Sequence, residues 1–135
     1  MTEDTLDNHQ PLESYPDSVD QKREFALRLG AFLQYLGTGD TVVLDIAAQS
    51  SVSEYFVIAT VTSQTHLKGT VRQLDEWMLP AGVRPRSRHR SHEEGGWVLL
   101  DCEFVVVHLM TQEVREFYEL EKLWFESIRV YPHTR

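Results

Sequence analysis

The run from Trp97 to Met110 constrains the fold more than any other part of the chain. It reads W-V-L-L-D, then C-E, then F-V-V-V-H-L-M. Two short apolar runs, Trp97–Asp101 and Phe104–Met110, predict adjacent buried strands joined by a tight hairpin near Cys102-Glu103. The second run scarcely alternates, and a strand of that kind is apolar on both faces. Both faces of its sheet then need cover, which suits an α/β sheet flanked by helices. The charged, aromatic run R-E-F-Y-E-L-E-K-L-W predicts a helix capped by Thr111. Val114, Phe117, Leu120 and Trp124 would pack inward, while Glu119 with Lys122 and Lys122 with Glu126 pair on the wet side.

The upstream chain supplies the remaining elements. Ser18 and Gln21 form an S-x-x-Q capping box. Phe25, Leu29, Phe32 and Leu36 recur behind it at helical spacing, and Gly37 and Gly39 end that helix. Thr41–Ile46 and Tyr55–Val61 are β-branched and strand-like. Thr62 or Ser63 caps a second helix, with Leu67, Val71, Leu74 and Met78 on its core side and Pro80 and Gly82 at its end. Residues 83–96 read as an edge strand. Pro85 argues against a central position, and Arg84, Arg86, Arg88 and Arg90 alternate on one face. The expected fold class is therefore a mixed sheet of roughly five strands. Residues 17–128 form one domain, after a disordered acidic tail over 1–16 and before a C-terminal tail over 129–135.

Composition narrows the function. A chain of 135 residues with 41% hydrophobic residues suffices for one core. The formal net charge of −8 argues against general nucleic-acid binding, since a phosphate backbone repels it. The charge is compatible with docking on a basic protein, or with a local basic patch of this chain brought to RNA. One cysteine excludes an intrachain disulfide and fits a reducing compartment. No apolar run reaches the ~20 residues of a membrane span. The acidic start M-T-E-D-T-L-D resembles neither a signal peptide nor a transit peptide, so a cytoplasmic address is expected.

Catalytic signals are weak. Asp45, Glu54 and Asp101 sit at strand ends, where carboxylates bind magnesium, do acid–base work, or simply cap turns. No glycine-rich phosphate loop accompanies Asp45. His89, His92 and Glu93 form an H-x-x-H-E cluster without an evident third ligand, so no metal is expected. His108 reads as a half-buried strand histidine. Cys102 lies between Asp101 and Glu103, which raise a thiol's pKa and oppose nucleophilic use. No cofactor motif is present. The arginine stripe is either a contact to RNA phosphates or a charged guard against edge-to-edge pairing. Trp97 is either an interface anchor or a core residue.

Four segments together resemble the ribosomal silencing factor family, also called Iojap. They are D-T-V-V-L-D-I at Asp40–Ile46, S-E-Y-F-V-I-A-T-V-T-S at Ser53–Ser63, W-V-L-L-D at Trp97–Asp101, and V-V-V-H through R-E-F-Y-E-L-E-K-L-W. The resemblance implies a nucleotidyltransferase-like fold without its activity. It implies binding to the large ribosomal subunit through ribosomal protein uL14, which blocks joining of the small subunit and represses translation under nutrient limitation or in stationary phase. Homodimers of the free protein are implied as well. Trp97 matches the tryptophan at the family's ribosomal-protein contact. Cys102, Glu103 and Phe104 fall in the adjoining contact stretch, where the family usually has D-Y-G-D and this chain has D-C-E-F. The competing readings are a magnesium-dependent nucleotidyltransferase using Asp45 and Glu54, and an adaptor or dimerisation domain with another partner.

Overall fold

The computed structural model describes residues 8–51, 53–90, 96–118 and 128–131. Its elements run α1 (Val19–Tyr35), β1 (Gly39–Asp45), β2 (Tyr55–Val61), α2 (Gln64–Met78), a 3-10 turn (Leu79–Ala81), β3 (Ser87–Arg90), β4 (Trp97–Asp101), β5 (Val105–Thr111), α3 (Gln112–Tyr118) and β6 (Ile128–Tyr131). The described strands form one mixed sheet in the order β3-β4-β5-β2-β1-β6. β2 and β5 are parallel, and every other neighbouring pair is antiparallel.

Local chemistry sets the helix ends. The Ser18 hydroxyl accepts the Gln21 N–H at 3.1 Å, and the Gln21 side chain accepts the Asp17 N–H at 3.0 Å. The box therefore closes one residue further out than the usual pairing with the capping residue itself. At the other end Gly37 adopts φ +90°, Thr38 N–H donates to Leu33 O, and Gly37 N–H donates to Gln34 O. Those paired bonds satisfy carbonyls that the last turn leaves open, and the left-handed residue between them favours glycine. Ser63 caps α2 by accepting the His66 N–H at 3.0 Å.

The main core lies between one sheet face and helices α1 and α2. Phe25, Leu29 and Leu33 of α1 and Leu67, Leu74 and Met78 of α2 are fully buried against Val43, Val57, Leu100 and Leu109. Trp77 joins them, stacked on Phe32 at 5.3 Å. A smaller cluster occupies the opposite face, with Val42, Leu44, Ile46, Ile58 and Met110 buried and Phe56, Trp97 and Val114 packed at its margin.

Three expectations change. Residues 8–16 are not a tail but a strap across α1 and α2. The Trp77 indole N–H donates to His9 O at 2.8 Å, His9 stacks on Tyr35, Leu12 packs on the core, and Pro16 is buried. Apolar Leu12 and Pro16 outweigh the local acidity. Residues 1–7 lie outside the described set. The expected C-terminal tail from Arg129 instead contributes β6, which pairs with β1 and buries Val130. That makes six strands rather than about five. Phe117, expected inward on α3, is 78% exposed. Leu120, Trp124 and the ion pairs of Glu119, Lys122 and Glu126 lie outside the described residues.

Deleting residues 1–16 is expected to cost about 2 kcal/mol, through one partly buried hydrogen bond and the packing of Leu12 and Pro16. Urea unfolding reads it; a truncated chain with the wild-type midpoint would show that the strap carries no stability.

Candidate functional site

β4 alternates between burial and exposure. Val98 and Leu100 point into the main core, while Trp97, Leu99 and Asp101 are half-buried on the other face. With ~3.3 Å per residue, these three span about 13 Å. β2 and β5 are buried on nearly every residue, so the partial exposure of β4 reflects its place near the sheet edge.

Trp97 is fixed at one end of this strip. Its indole N–H donates to His108 Nδ1 at 3.2 Å. The His108 ring also meets the Phe56 ring edge-on at 4.7 Å. His108 is only 4% exposed, more deeply buried than its reading as a half-buried strand residue. Burial drives its pKa down from the ordinary 6.5 to about 4, so the ring is neutral. Because indole only donates, the proton of the neutral imidazole sits on Nε2. Nε2 is buried and, among the described residues, meets no hydrogen-bond partner.

The hairpin after β4 forms the other end. Cys102 N–H donates to Val105 O, and Phe104 N–H donates to Cys102 O at 3.1 Å. The second bond closes a three-residue turn centred on Glu103, which adopts φ +81°. Left-handed backbone is strained for a residue with a Cβ. Three contacts hold it. The Asp101 carboxylate accepts the Glu103 N–H at 3.0 Å, the Ser53 hydroxyl donates to Glu103 O at 2.8 Å, and Arg86 reaches both acids, at 3.3 Å for Asp101 and 3.9 Å for Glu103.

The four residues expected at the protein contact thus divide. Trp97 and Glu103 offer side-chain surface. Cys102 and Phe104 do not, because both are core residues. Cys102 lies 3.8 Å from the Met78 sulfur. Phe104 packs edge-on against Phe25 at 5.4 Å and Tyr15 at 6.1 Å. Around the hairpin the fold gathers Asp17, Glu54, Asp101 and Glu103 against Lys22 and Arg86, leaving an acidic rim. No local pattern signals this grouping, since its members come from α1 and its lead-in, the β1–β2 loop, the lead-in to β3 and the hairpin.

The arginine stripe lies only partly in a strand. β3 starts at Ser87, so Arg84 and Arg86 precede it, and Arg86 is engaged by the hairpin acids. Arg88 and Arg90 lie in β3 opposite Leu100 and Val98. β3 does hold the edge position expected of it. Of the H-x-x-H-E cluster, His92 and Glu93 lie outside the described residues. Among those described, no group of three His, Cys, Asp or Glu side chains is placed to hold a metal. Asp45 caps the Ala47 N–H at 3.1 Å, and Glu54 pairs with Lys22 at 3.6 Å. Both follow the turn-and-surface reading of strand-end carboxylates.

The family described as "Ribosomal silencing factor during starvation" matches residues 19–134. The chain belongs to the ribosomal silencing factor family. Similar relatives include a ribosomal silencing factor of Chromobacterium violaceum, 34% identical over 63% of this chain and 69% of that protein. Another, from Bacillus subtilis, is 32% identical over 65% of this chain and 74% of that protein. A mouse protein named for mitochondrial assembly of the ribosomal large subunit is 33% identical over 71% of this chain and 43% of its own length. A crystal structure of a Chromobacterium violaceum protein superimposes with a TM-score of 0.68 at 29% identity, covering 80% of this chain and 87% of that one.

In the D-C-E-F stretch a glutamate, Glu103, occupies a glycine-favouring backbone. Glu103→Gly is expected to stabilise the fold by about 1 kcal/mol through relief of that strain. A lower urea midpoint in the glycine variant would refute the strain.

His108 gives a pH dependence. Between pH 6.5 and about 4 the unfolded chain binds a proton that the folded chain resists, so stability falls as pH drops through that window. The loss reaches about 3 kcal/mol at the acid end. Urea unfolding of wild type and His108→Asn at both pH values isolates it: the wild type is expected to lose more, by roughly that amount. Equal losses would contradict the assignment.

Proposed function

We propose that this silencing-factor family member docks on the large ribosomal subunit through the half-exposed face of β4, with ribosomal protein uL14 as the partner. Trp97 is the apolar anchor, Leu99 continues the strip, and Asp101 and Glu103 form an acidic end that suits a basic protein. The observation that carries the reading is the β4 alternation, which holds a tryptophan half-exposed on a rigid sheet, beside an acidic rim. Aromatic side chains of this kind dominate interface energetics, and rim charges steer association.

The mechanism is steric. The body of the domain occupies space that the small subunit needs, and translation falls under nutrient limitation or in stationary phase. No bond is made or broken. In this reading the sheet has a nucleotidyltransferase-like architecture without the catalytic set, since Asp45 and Glu54 are engaged in a turn and an ion pair. Free chains pair as homodimers. Arg84, Arg88 and Arg90 remain candidates for ribosomal RNA phosphates, while Arg86 serves the hairpin. The role places the protein in the cytoplasm. Among the described residues, no helix is long and apolar enough to cross a membrane.

Co-sedimentation with separated ribosomal subunits tests the proposal. Wild type is expected to pellet with large subunits alone and to reduce joined ribosomes when small subunits are added. Trp97→Ala is expected to weaken binding by about 2 kcal/mol, roughly 30-fold, while remaining folded. Undiminished affinity in the folded variant would remove Trp97 as anchor, and absence of wild-type binding would remove the docking reading.

A further inference from the structure

Building on that docking reading, we propose that His108 is the positioning residue of the docking face, fixing the Trp97 indole in the orientation a protein partner meets. The register places the two residues diagonally. Trp97 stands opposite Met110 on β5, whereas His108 stands opposite Leu99. The indole must therefore lean across the strand pair to reach Nδ1, and it does so at 3.2 Å. Diagonal neighbours are within reach of large aromatic side chains but are not forced together by pairing. A directional acceptor at the ring's N–H edge fixes the orientation of the indole, which lowers the ordering cost on docking.

The chemistry of β5 supports a specific task. Every other residue of V-V-V-H-L-M is apolar, and the strand is buried along this whole run. An aliphatic residue at 108 would satisfy packing without burying a polar ring. The histidine instead places its Nε2–H in the interior, where it meets no hydrogen-bond partner among the described residues. A buried polar group with one unsatisfied atom calls for an explanation, and its satisfied atom is the one that holds Trp97. Phe56 sets the ring plane from the other side, edge-on at 4.7 Å and 60°. The three rings form a row across β2, β5 and β4, so the anchor is oriented by the central strands rather than by the edge.

Two polar, non-titrating variants separate positioning from simple filling. In His108→Asn the amide oxygen falls near the place of Nδ1 and can accept from Trp97. In His108→Gln the amide lies near the place of Nε2, away from the indole. Positioning predicts that the asparagine variant keeps the Trp97 indole N–H resonance near its wild-type shift and binds large subunits within ~3-fold of wild type. The glutamine variant should move that resonance and bind ~10-fold more weakly, as a mispositioned hot-spot side chain would. Glutamine equal to or better than asparagine in affinity would overturn the role, because larger volume would then be what matters. The wild type gives a check that needs no variant: its Trp97 indole N–H is expected to exchange slowly with solvent, and exchange at the rate of a free indole would overturn the bond itself. A wild type that fails to bind large subunits would defeat the docking reading, whereas a binding wild type with indifferent His108 variants would defeat the positioning role alone.

Discussion

The parallel ladder between β2 and β5 is the constraint on which the rest depends. It holds register over seven pairs, from Tyr55 opposite Val105 to Val61 opposite Thr111. Parallel neighbours cannot be joined by a tight turn, so the chain must leave the sheet and return. α2, the 3-10 turn, β3 and β4 all lie within that excursion. α2 comes back over the face that α1 also covers, and the two helices bury Val57, Ala59, Val105 and Val107. β3 and β4 extend the sheet beyond β5, while β1 and β6 extend it beyond β2. Burial on both faces at the centre and on one face toward the edge follows from that order. The half-exposed strip of Trp97, Leu99 and Asp101 is thus a product of topology as much as of composition.

The hairpin shows how one exchange of residues propagates. Phe104 turns inward and joins Phe25, with Tyr15 of the N-terminal strap against its edge. That apolar side chain ties the hairpin to the core and brings the strap to it. An acidic side chain at the hairpin tip then has to come from residue 103, whose backbone is left-handed. Asp101, Ser53 and Arg86 supply the bonds that hold a glutamate there. Exposed ion pairs of this kind contribute ~0–1 kcal/mol each, so the backbone bonds carry more of the restraint than the charges.

Much of the framework was legible because its signals are local. The Ser18 and Ser63 caps, the glycine stop at Gly37, the bounds of β2 and the buried face of α2 rest on interactions within a few residues of chain. The family resemblance was legible for a related reason, since its segments are contiguous runs of sequence that cover β1, β2, β4 and β5. Elements whose order depends on remote partners were not legible. The strap looks like an acidic tail until Trp77 and Tyr35 are beside it. β6 is four residues long and earns its place only by pairing with β1. The arginine alternation has strand period, yet Pro85 and the acids of the hairpin divide it.

By itself the sequence determined the mixed α/β class, the caps and stops of the first two helices, the central strands and the family. Hydrophobic period and capping chemistry are short-range and survive without knowledge of neighbours. Only the tertiary structure decided which side chains are buried and which reach the surface: Cys102 and Phe104 inward, Trp97 and Glu103 outward, with His108 accepting from the indole. A hairpin with a left-handed residue breaks the simple alternation of a strand, and a contact between residues on different strands is set by register, which no single run of residues encodes.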